Sequence, residues 1–585
     1  MLTPKEYMAD WPDLNFRNFI AFLDWCEKEH GNDNAIFYRE DSRKDFTVWT
    51  FGKLAGECRR IARGLLKRGL GKGDRVVLWA ENRPEWMAVW LGTAAAGCII
   101  VPVDFLVAEE ECLNIIKATE AKAFFFSERK ADFAARPELK GLGVDILVSI
   151  TGGNDFSAFG ADAGGQALPD ENEIDERDPV SIVFTSGTTG ISKGVTLSHK
   201  GIIANVSAAV RMLRPGSRDV FINVLPLHHT YPTTCSFLAP FSIGIPTIIV
   251  SRLVGQLVID DIKDAGGTFL IAVPLLYDKV MAAIDAKYQK TPSVVRAVLD
   301  ILRKIALAEA KKGNPDFGRK AFRFIRKKAG LDSISMMVAG GGALNPKTAD
   351  FFDSFGFNIV HGYGMSENSP LVSVNTPRHK KNESVGLPVK YTEVKIVDQN
   401  DDTRELGIGE HGEIIIKSPS LMLGYYNNPE ATAEMFNKDG CLKSGDLGYI
   451  DRDGFIFING RKKNLIVSSG GKNIYPEEIE NRFNGSRVVG EILVLGRRET
   501  DGERIFAVVV PNREAISADY PGKTLTSEFI RSLVKNEIEN VNRLMPAFKK
   551  ISNFTLRDTE FEKNAQQKIR RFMYRDYEDP EKTPM

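Results

Sequence analysis

Strand and helix patterns alternate from the start of this 585-residue chain, a Gly- and hydroxyl-rich loop follows directly behind an apolar strand at 180–184, and past Gly460 the texture shifts to short strands and helices. Together these predict an α/β protein with a large N-terminal multi-sheet α/β domain over residues 1–461 and a small α+β domain over 462–585. The length suits three or four packed units at about 100–200 residues each. A hydrophobic share of 43% beside 26% charged residues is enough to bury a large core. Lys and Arg total 77, as do Asp and Glu, which excludes the strongly basic field of a bulk nucleic-acid binder. The cysteines (26, 58, 98, 112, 235 and 441) form no C-x-x-C pair, which fits a reducing compartment and excludes a disulfide scaffold or a cysteine-rich zinc module.

Taken in order, Thr50 can cap a helix whose apolar face is Leu54, Cys58, Ile61, Leu65 and Leu66, with Gly69 behind it. Arg75 to Ala80 reads as a strand. Pro84, two residues after a candidate cap at Asn82, opens a helix that stops at Gly97, and Ile99 to Val103 reads as the next strand. Strand, helix and strand within about thirty residues make the βαβ unit of a parallel sheet, which binds ligands beyond the carboxyl ends of its strands. Thr151 to Asp178, ending in DENEIDERD, reads as a solvated loop.

The segment Lys287 to Lys328 carries thirteen Lys or Arg, and Val294, Val295, Val298, Ile301, Leu302 and Ile305 recur in it at helical spacing. A solvated helix face accounts for it; a membrane-surface or anionic-ligand patch is the alternative. The N terminus has no basic stretch ahead of an apolar run, so no secretory leader is expected. The longest apolar stretches, Ala88–Val103 and Phe237–Val250, fall short of the roughly 20 residues that span a bilayer. The expected location is cytoplasmic, with attachment at the inner membrane surface left open, as is a homodimer. Beyond Gly460, strands are expected at Glu491–Leu495 and Ile505–Val510, and a helix capped near Thr526.

The chemistry concentrates in SIVFTSGTTGISKG, Ser181 to Gly194. Glycines let a backbone approach a phosphate closely, and the loop N–H groups, hydroxyls and Lys193 all favour an anion. It is not a Walker A loop, because Ile191 and Ser192 separate Gly190 from the lysine. Behind it, a helix carries Ile202, Ile203, Val206, Ala209, Val210 and Leu213 on one face. Six further motifs follow: LPLHHTY (225–231), AGGGALNP (339–346), HGYGMSEN (361–368), KSGDLGYID (443–451), GRKKNLIVSSGGKNIYPEEIE (460–480) and FEKNAQQKIRR (561–571).

This series, in this order, resembles the adenylate-forming enzymes: acyl- and aryl-CoA synthetases, luciferases and the adenylation domains of peptide synthetases. It departs mildly, with Ser192 where proline is usual and Ser366 where threonine is commoner. The phrasing of the later motifs is similar to long-chain fatty-acyl-CoA synthetases. The resemblance implies ATP or AMP contacts at Thr185, Ser186, Gly187, Thr188, Thr189, Gly190 and Lys193, at Gly341, Gly342 and Ala343, and at His361, Gly362, Tyr363, Gly364, Met365 and Ser366. It adds the ribose ligands Asp446 and Arg461, and Ile458 beside them. Thr185 and Glu367 would hold magnesium, His229 would lie by the carboxylate pocket, and Lys568 would be the adenylation lysine. Lys463 would be the hinge of a mobile small domain, and Gly470, Gly471 and Lys472 would face CoA.

The implied reaction joins a fatty acid to CoA through an acyl-adenylate, with ATP, Mg2+ and CoA as cofactors or co-substrates; delivery to a phosphopantetheine carrier is the alternative. The partners are small molecules and no nucleic acid. Singly, His229 would read as a core histidine, Lys463 and Lys568 as solvated charges, and Asp446, after Gly445, as a turn residue. The order of the motifs is what lifts them above those readings. The acyl tunnel is expected between the His229 segment and Gly340–Gly342, where Phe237, Leu238, Phe241 and Ile243 are either its wall or plain core.

Overall fold

The computed structural model describes residues 13–41, 44–152, 154–185, 192–468, 472–499, 502–563, 569–574 and 577. The fold is mixed α/β, with a large N-terminal domain and a smaller C-terminal one. Two large sheets form the first part. In the nine-stranded sheet, the strands Ile359–Gly364, Met336–Ala339, Phe269–Ala272, Phe221–Asn223, Thr247–Val250 and Asn34–Arg39 run parallel. Leu371–Val374 and Thr47–Thr50 flank that run antiparallel. The seven-stranded sheet has a parallel centre made of Pro179–Thr185, Ile99–Pro102, Arg75–Trp79, Ala123–Phe126 and Ile146–Ser149. Lys193–Ser198 folds back antiparallel beside Pro179–Thr185, and Gly424–Tyr425 pairs antiparallel with Lys193–Ser198 at the edge.

The helices between these sheets form as the apolar spacing dictates. Thr50 accepts the N–H of Lys53 at 3.1 Å and caps the helix Phe51–Lys67, which buries Leu54, Cys58, Ile61 and Leu65. The helix Pro84–Ala95 is buried on eleven of its twelve residues, so the apolar run beginning at Ala88 is the packing layer between sheets. Asn82 does not cap it. The Asn82 side chain instead donates to Leu225 O at 2.7 Å and accepts from Leu227 N at 2.8 Å, pinning a distant loop. Phe237, Leu238 and Phe241 are fully buried, Phe237 lying edge-on to Trp90 and Phe241 edge-on to Phe51, so these three are core. All six cysteines are buried and free, and burial raises their pKa values.

The stretch 151–178 is less solvated than expected. It contains the short helix Asp155–Ala158, and Phe159 and Ile174 are buried. Asn18 ties it down by donating to Glu171 O and Ile174 O at 2.7 and 2.9 Å. A polar run can sit against a core when its backbone carbonyls find such a donor.

A third, antiparallel sheet (Glu393–Val397, Gly412–Lys417, Leu442–Ile450 and Ile456–Arg461) follows. Its last strand runs to Arg461, whose partner across the ladder is Asp446. Beyond it, a second core gathers Ile466, Ile479, Val494, Val509, Ile530, Val534 and Ile538. There the hairpin Val489–Glu499 and Gly502–Pro511 pairs with Asn553–Leu556, and Thr526 accepts from Phe529 N to cap the helix Ser527–Arg543. No helix among the described residues is long and apolar enough to cross a membrane.

Candidate active site

The site is assembled where the parallel strands of the nine-stranded sheet end. Met336–Ala339 runs into Gly340–Gly342, and the adjacent strand Ile359–Gly364 carries the HGYG motif. Two glycines are steric necessities. A Cβ on Gly340 would lie 2.7 Å from the Tyr231 ring, and one on Gly364 would lie 2.3 Å from Pro370 O. His361 is buried, and its Nε2 lies 2.9 Å from Gly342 O; burial lowers its pKa, so the ring is neutral and donates Nε2–H to that carbonyl. The two glycine-bearing motifs are thereby stitched together.

The polar heart of the site is a triad. Tyr363 donates its hydroxyl to Asp446 Oδ2 at 2.6 Å, and Arg461 Nε lies 2.8 Å from Asp446 Oδ1. Asp446 and Arg461 are cross-strand neighbours of the third sheet, so strand register alone brings them together. Asp446 is buried, whereas Arg461 is nearly half exposed. The carboxylate raises the Arg461 pKa, and burial, followed by Asp446, pushes the Tyr363 hydroxyl well up. Beside it, buried Glu413 accepts from Lys462 Nζ at 2.7 Å and from Gly445 N at 3.3 Å, fixing the backbone on both sides of the triad.

A second cluster lies around Glu367. Its Oε1 accepts the Tyr425 hydroxyl at 2.8 Å, and Lys193 Nζ sits 4.9 Å from the centre of the Tyr425 ring. The segment 422–426 makes this possible. Met422 N donates to Glu367 O at 2.8 Å, and Tyr426 N donates to Gly194 O at 2.7 Å. One short strand therefore bridges the HGYGMSEN motif and the loop lysine. Burial, then Glu367, raises the Tyr425 pKa, so this residue stays a donor. Tyr425 was missed in the sequence, where Gly-Tyr-Tyr-Asn-Asn-Pro marks only a helix start. Nothing in spacing ties it to Glu367, 58 positions earlier.

Thr185 ends its strand with Oγ1 3.4 Å from Lys193 O, and Ser366 Oγ meets Thr230 Oγ1 at 3.3 Å. Gly341 is in the left-handed region at φ +79°, and Ala343 is exposed. Gly362 is buried, while Met365 and Ile458 are half-buried. His229 is half-buried, its ring 3.9 Å from that of buried His228, whose Nε2 lies 3.6 Å from Asp104 Oδ2. Lys463 lies in the turn Lys462–Asn464, and exposed Lys472 places its Nζ 4.6 Å from the Phe548 ring centre. Ser186, Gly187, Thr188, Thr189, Gly190, Gly470, Gly471 and Lys568 lie outside the described residues.

Among the described residues, no group of three or more His, Cys, Asp or Glu is gathered for a metal. A magnesium ion needs no such group, since Mg2+ keeps most of its waters and takes one or two carboxylates plus substrate phosphates. Were it to bind, Glu367, with one oxygen held by Tyr425, would offer a carboxylate, and Thr185 at the end of its strand a hydroxyl.

Residues 23–426 match the family model of the AMP-binding enzyme, and residues 463–580 match that of the AMP-binding enzyme C-terminal domain. Similar proteins include the long-chain-fatty-acid–[acyl-carrier-protein] ligase AEE15, chloroplastic, of Arabidopsis thaliana, 27% identical over 84% of this chain and 75% of that one. Long chain acyl-CoA synthetase 7, peroxisomal, of the same plant is 27% identical over 85% of this chain and 75% of its own. Among solved structures, ATP-bound MatB from Rhodopseudomonas palustris superposes with a TM-score of 0.76 at 23% identity, covering 96% of this chain and 98% of that one. A strand-end glycine motif, a Tyr363–Asp446–Arg461 triad and a Glu367–Tyr425–Lys193 cluster on a chain matched over most of its length place this protein in the AMP-binding, adenylate-forming enzyme superfamily of acid ligases.

Proposed function

We propose that the chain activates a fatty acid with ATP and transfers the acyl group to CoA, giving acyl-CoA, AMP and pyrophosphate. The observation that carries this reading is the Tyr363–Asp446–Arg461 triad. A buried carboxylate held from two sides keeps one fixed orientation, which suits it to accept from the two ribose hydroxyls while the Tyr363 ring lies against the base. Asp446 and Arg461 then hold the nucleoside end, and the loop from Thr185 to Lys193 holds the phosphates. Magnesium bound at Glu367 and Thr185 would neutralise charge on the departing pyrophosphate.

A carboxylate is a poor acyl donor because oxide would have to leave. Attack of the carboxylate oxygen on the α-phosphorus expels pyrophosphate and forms the mixed anhydride; a thiol then attacks its carbonyl and AMP departs. Two anions meet in the first step, so a cation must bridge carboxylate and α-phosphate. Lys568 takes that role, with His229 beside the carboxylate. In this reading the chain divides at 461/462, Lys463 is the hinge, and Gly470, Gly471 and Lys472 border the pantetheine path in the second step.

A carrier-protein acceptor is the second reading, favoured by the AEE15 relative, which is as similar as the acyl-CoA synthetase. The test follows pyrophosphate and thioester together, with ATP, magnesium and saturated acids from acetate to stearate, with CoA or with a phosphopantetheinylated carrier protein. The expected result is CoA-dependent turnover that rises with chain length. Thioester on the carrier alone selects the second reading, and pyrophosphate release with aryl or short acids only would overturn the fatty-acid assignment.

A further inference from the structure

The helix Ser293–Lys311 is two-sided in an unusual sense. Its inner face is anchored, with Ala306 and Ala310 buried and Arg303 lying 5.0, 5.1 and 4.5 Å from the ring centres of Tyr288, Phe351 and Phe355. Its outer face is apolar too. Val294, Val298, Ile301 and Ile305, at spacings of four, three and four, are 77%, 56%, 61% and 43% exposed, and Phe324 on the later helix Arg323–Ala329 is 77% exposed. Single exposed apolar residues need no explanation, but a row of β-branched residues along nearly three turns does.

The segment that carries this row is rich in cations. Residues 287–328 hold thirteen Lys or Arg against three Asp or Glu, in a chain whose charges balance over its whole length. Ten of the thirteen are exposed, among them Lys290, Lys304, Lys320, Arg323, Lys327 and Lys328. We propose that this face docks on an anionic lipid bilayer, with Val294, Val298, Ile301 and Ile305 entering the headgroup–acyl boundary and the flanking lysines and arginines meeting lipid phosphates. Charge and apolarity together select the occupant. A second copy of the chain would bring the same cations face to face across a twofold axis. Nucleic acid would satisfy the cations but leave the valine and isoleucine row against phosphates. An anionic bilayer satisfies both, since an interfacial helix buries its apolar face to about 5–10 Å while basic side chains stay at headgroup level. The inference does not depend on which acid the chain activates.

The test is flotation of the full chain with vesicles of phosphatidylcholine alone, and of phosphatidylcholine with phosphatidylglycerol, at low and high salt. Two variants on separate helices keep it decisive should one be unstable: Val298→Gln with Ile301→Gln, and Lys320→Glu with Lys327→Glu and Lys328→Glu. The wild-type chain is expected to float only with anionic vesicles, less so at high salt. Each variant is expected to lower the bound fraction about tenfold or more, with thermal midpoint and turnover of a water-soluble acid unchanged. Absence of binding to anionic vesicles at low salt overturns the proposal, as does equal binding by both variants. Sedimentation showing a wild-type dimer that Val298→Gln with Ile301→Gln dissolves would assign the face to a second copy instead.

Discussion

At the scale of residues, some buried polar groups contribute in a way that depends on their protonation state. His199 is an example away from the site. It is buried, its Nδ1 accepts the N–H of Phe19 at 3.3 Å, and burial pushes its pKa from 6.5 down to about 4. A protonated Nδ1 could not accept that bond. Because the folded value lies below the unfolded one, the unfolded chain takes up the proton first. The stabilisation is therefore complete above pH 6.5, declines as pH falls through the window from 6.5 to about 4, and is gone below it. The stability advantage of wild type over His199→Gln, measured by urea unfolding, should shrink by about 2–3 kcal/mol between pH 7.5 and pH 4. A pH-independent difference would show that His199 does not titrate in this way.

At the scale of elements, the loop carrying LPLHHTY depends on a helix far from it in sequence. Asn82 holds Leu225 O and Leu227 N, so the strand-to-helix turn of one sheet sets the height of His228 and His229 above the other. Asn82→Ala would leave the partly buried N–H of Leu227 without its acceptor, at about 1–3 kcal/mol, while Leu225 O keeps the Asn223 amide at 3.1 Å. The expected outcome is a lower thermal midpoint together with a raised KM for the acid and a nearly unchanged KM for ATP; equal change in both would mean the loop does not serve the acid. In the sequence, Asn82 reads as a helix cap, because local spacing cannot reveal a partner 145 positions away. Thr50 and Thr526, whose partners lie three residues on, were legible for the same reason. The polar last residues of the strand ending at Arg461 carry no strand periodicity, and pairing with Leu442–Ile450 keeps them extended.

At the scale of the whole molecule, the proposed two-step reaction asks the small domain to present different residues in turn. Lys568→Ala should abolish pyrophosphate release while leaving thioester formation from synthetic acyl-adenylate largely intact, and Gly470→Leu should do the reverse. Rapid-quench measurement of both half-reactions checks this, and equal loss of both steps in either variant would remove the basis for two conformations. Lys462–Glu413 and Asn464–Glu477, at 2.7 and 2.6 Å, are the described contacts on either side of Lys463 that such a rotation would strain or release.

The sequence by itself determined the α/β class, the two-part organisation of texture, the capped helices, the strand-to-glycine turns and the motif series that marks the superfamily. These depend on periodicities and short-range bonds spanning a few residues, which a linear reading can see. Tertiary structure alone decided that Tyr425 links Lys193 to Glu367, that Tyr363 and Arg461 converge on Asp446, and that an apolar row at 294–305 faces outward rather than into the core. Helical spacing states that apolar residues share a face, but not what that face meets. Only the packing of the other side of the helix, with Arg303 laid over three aromatic rings, settles which way it turns.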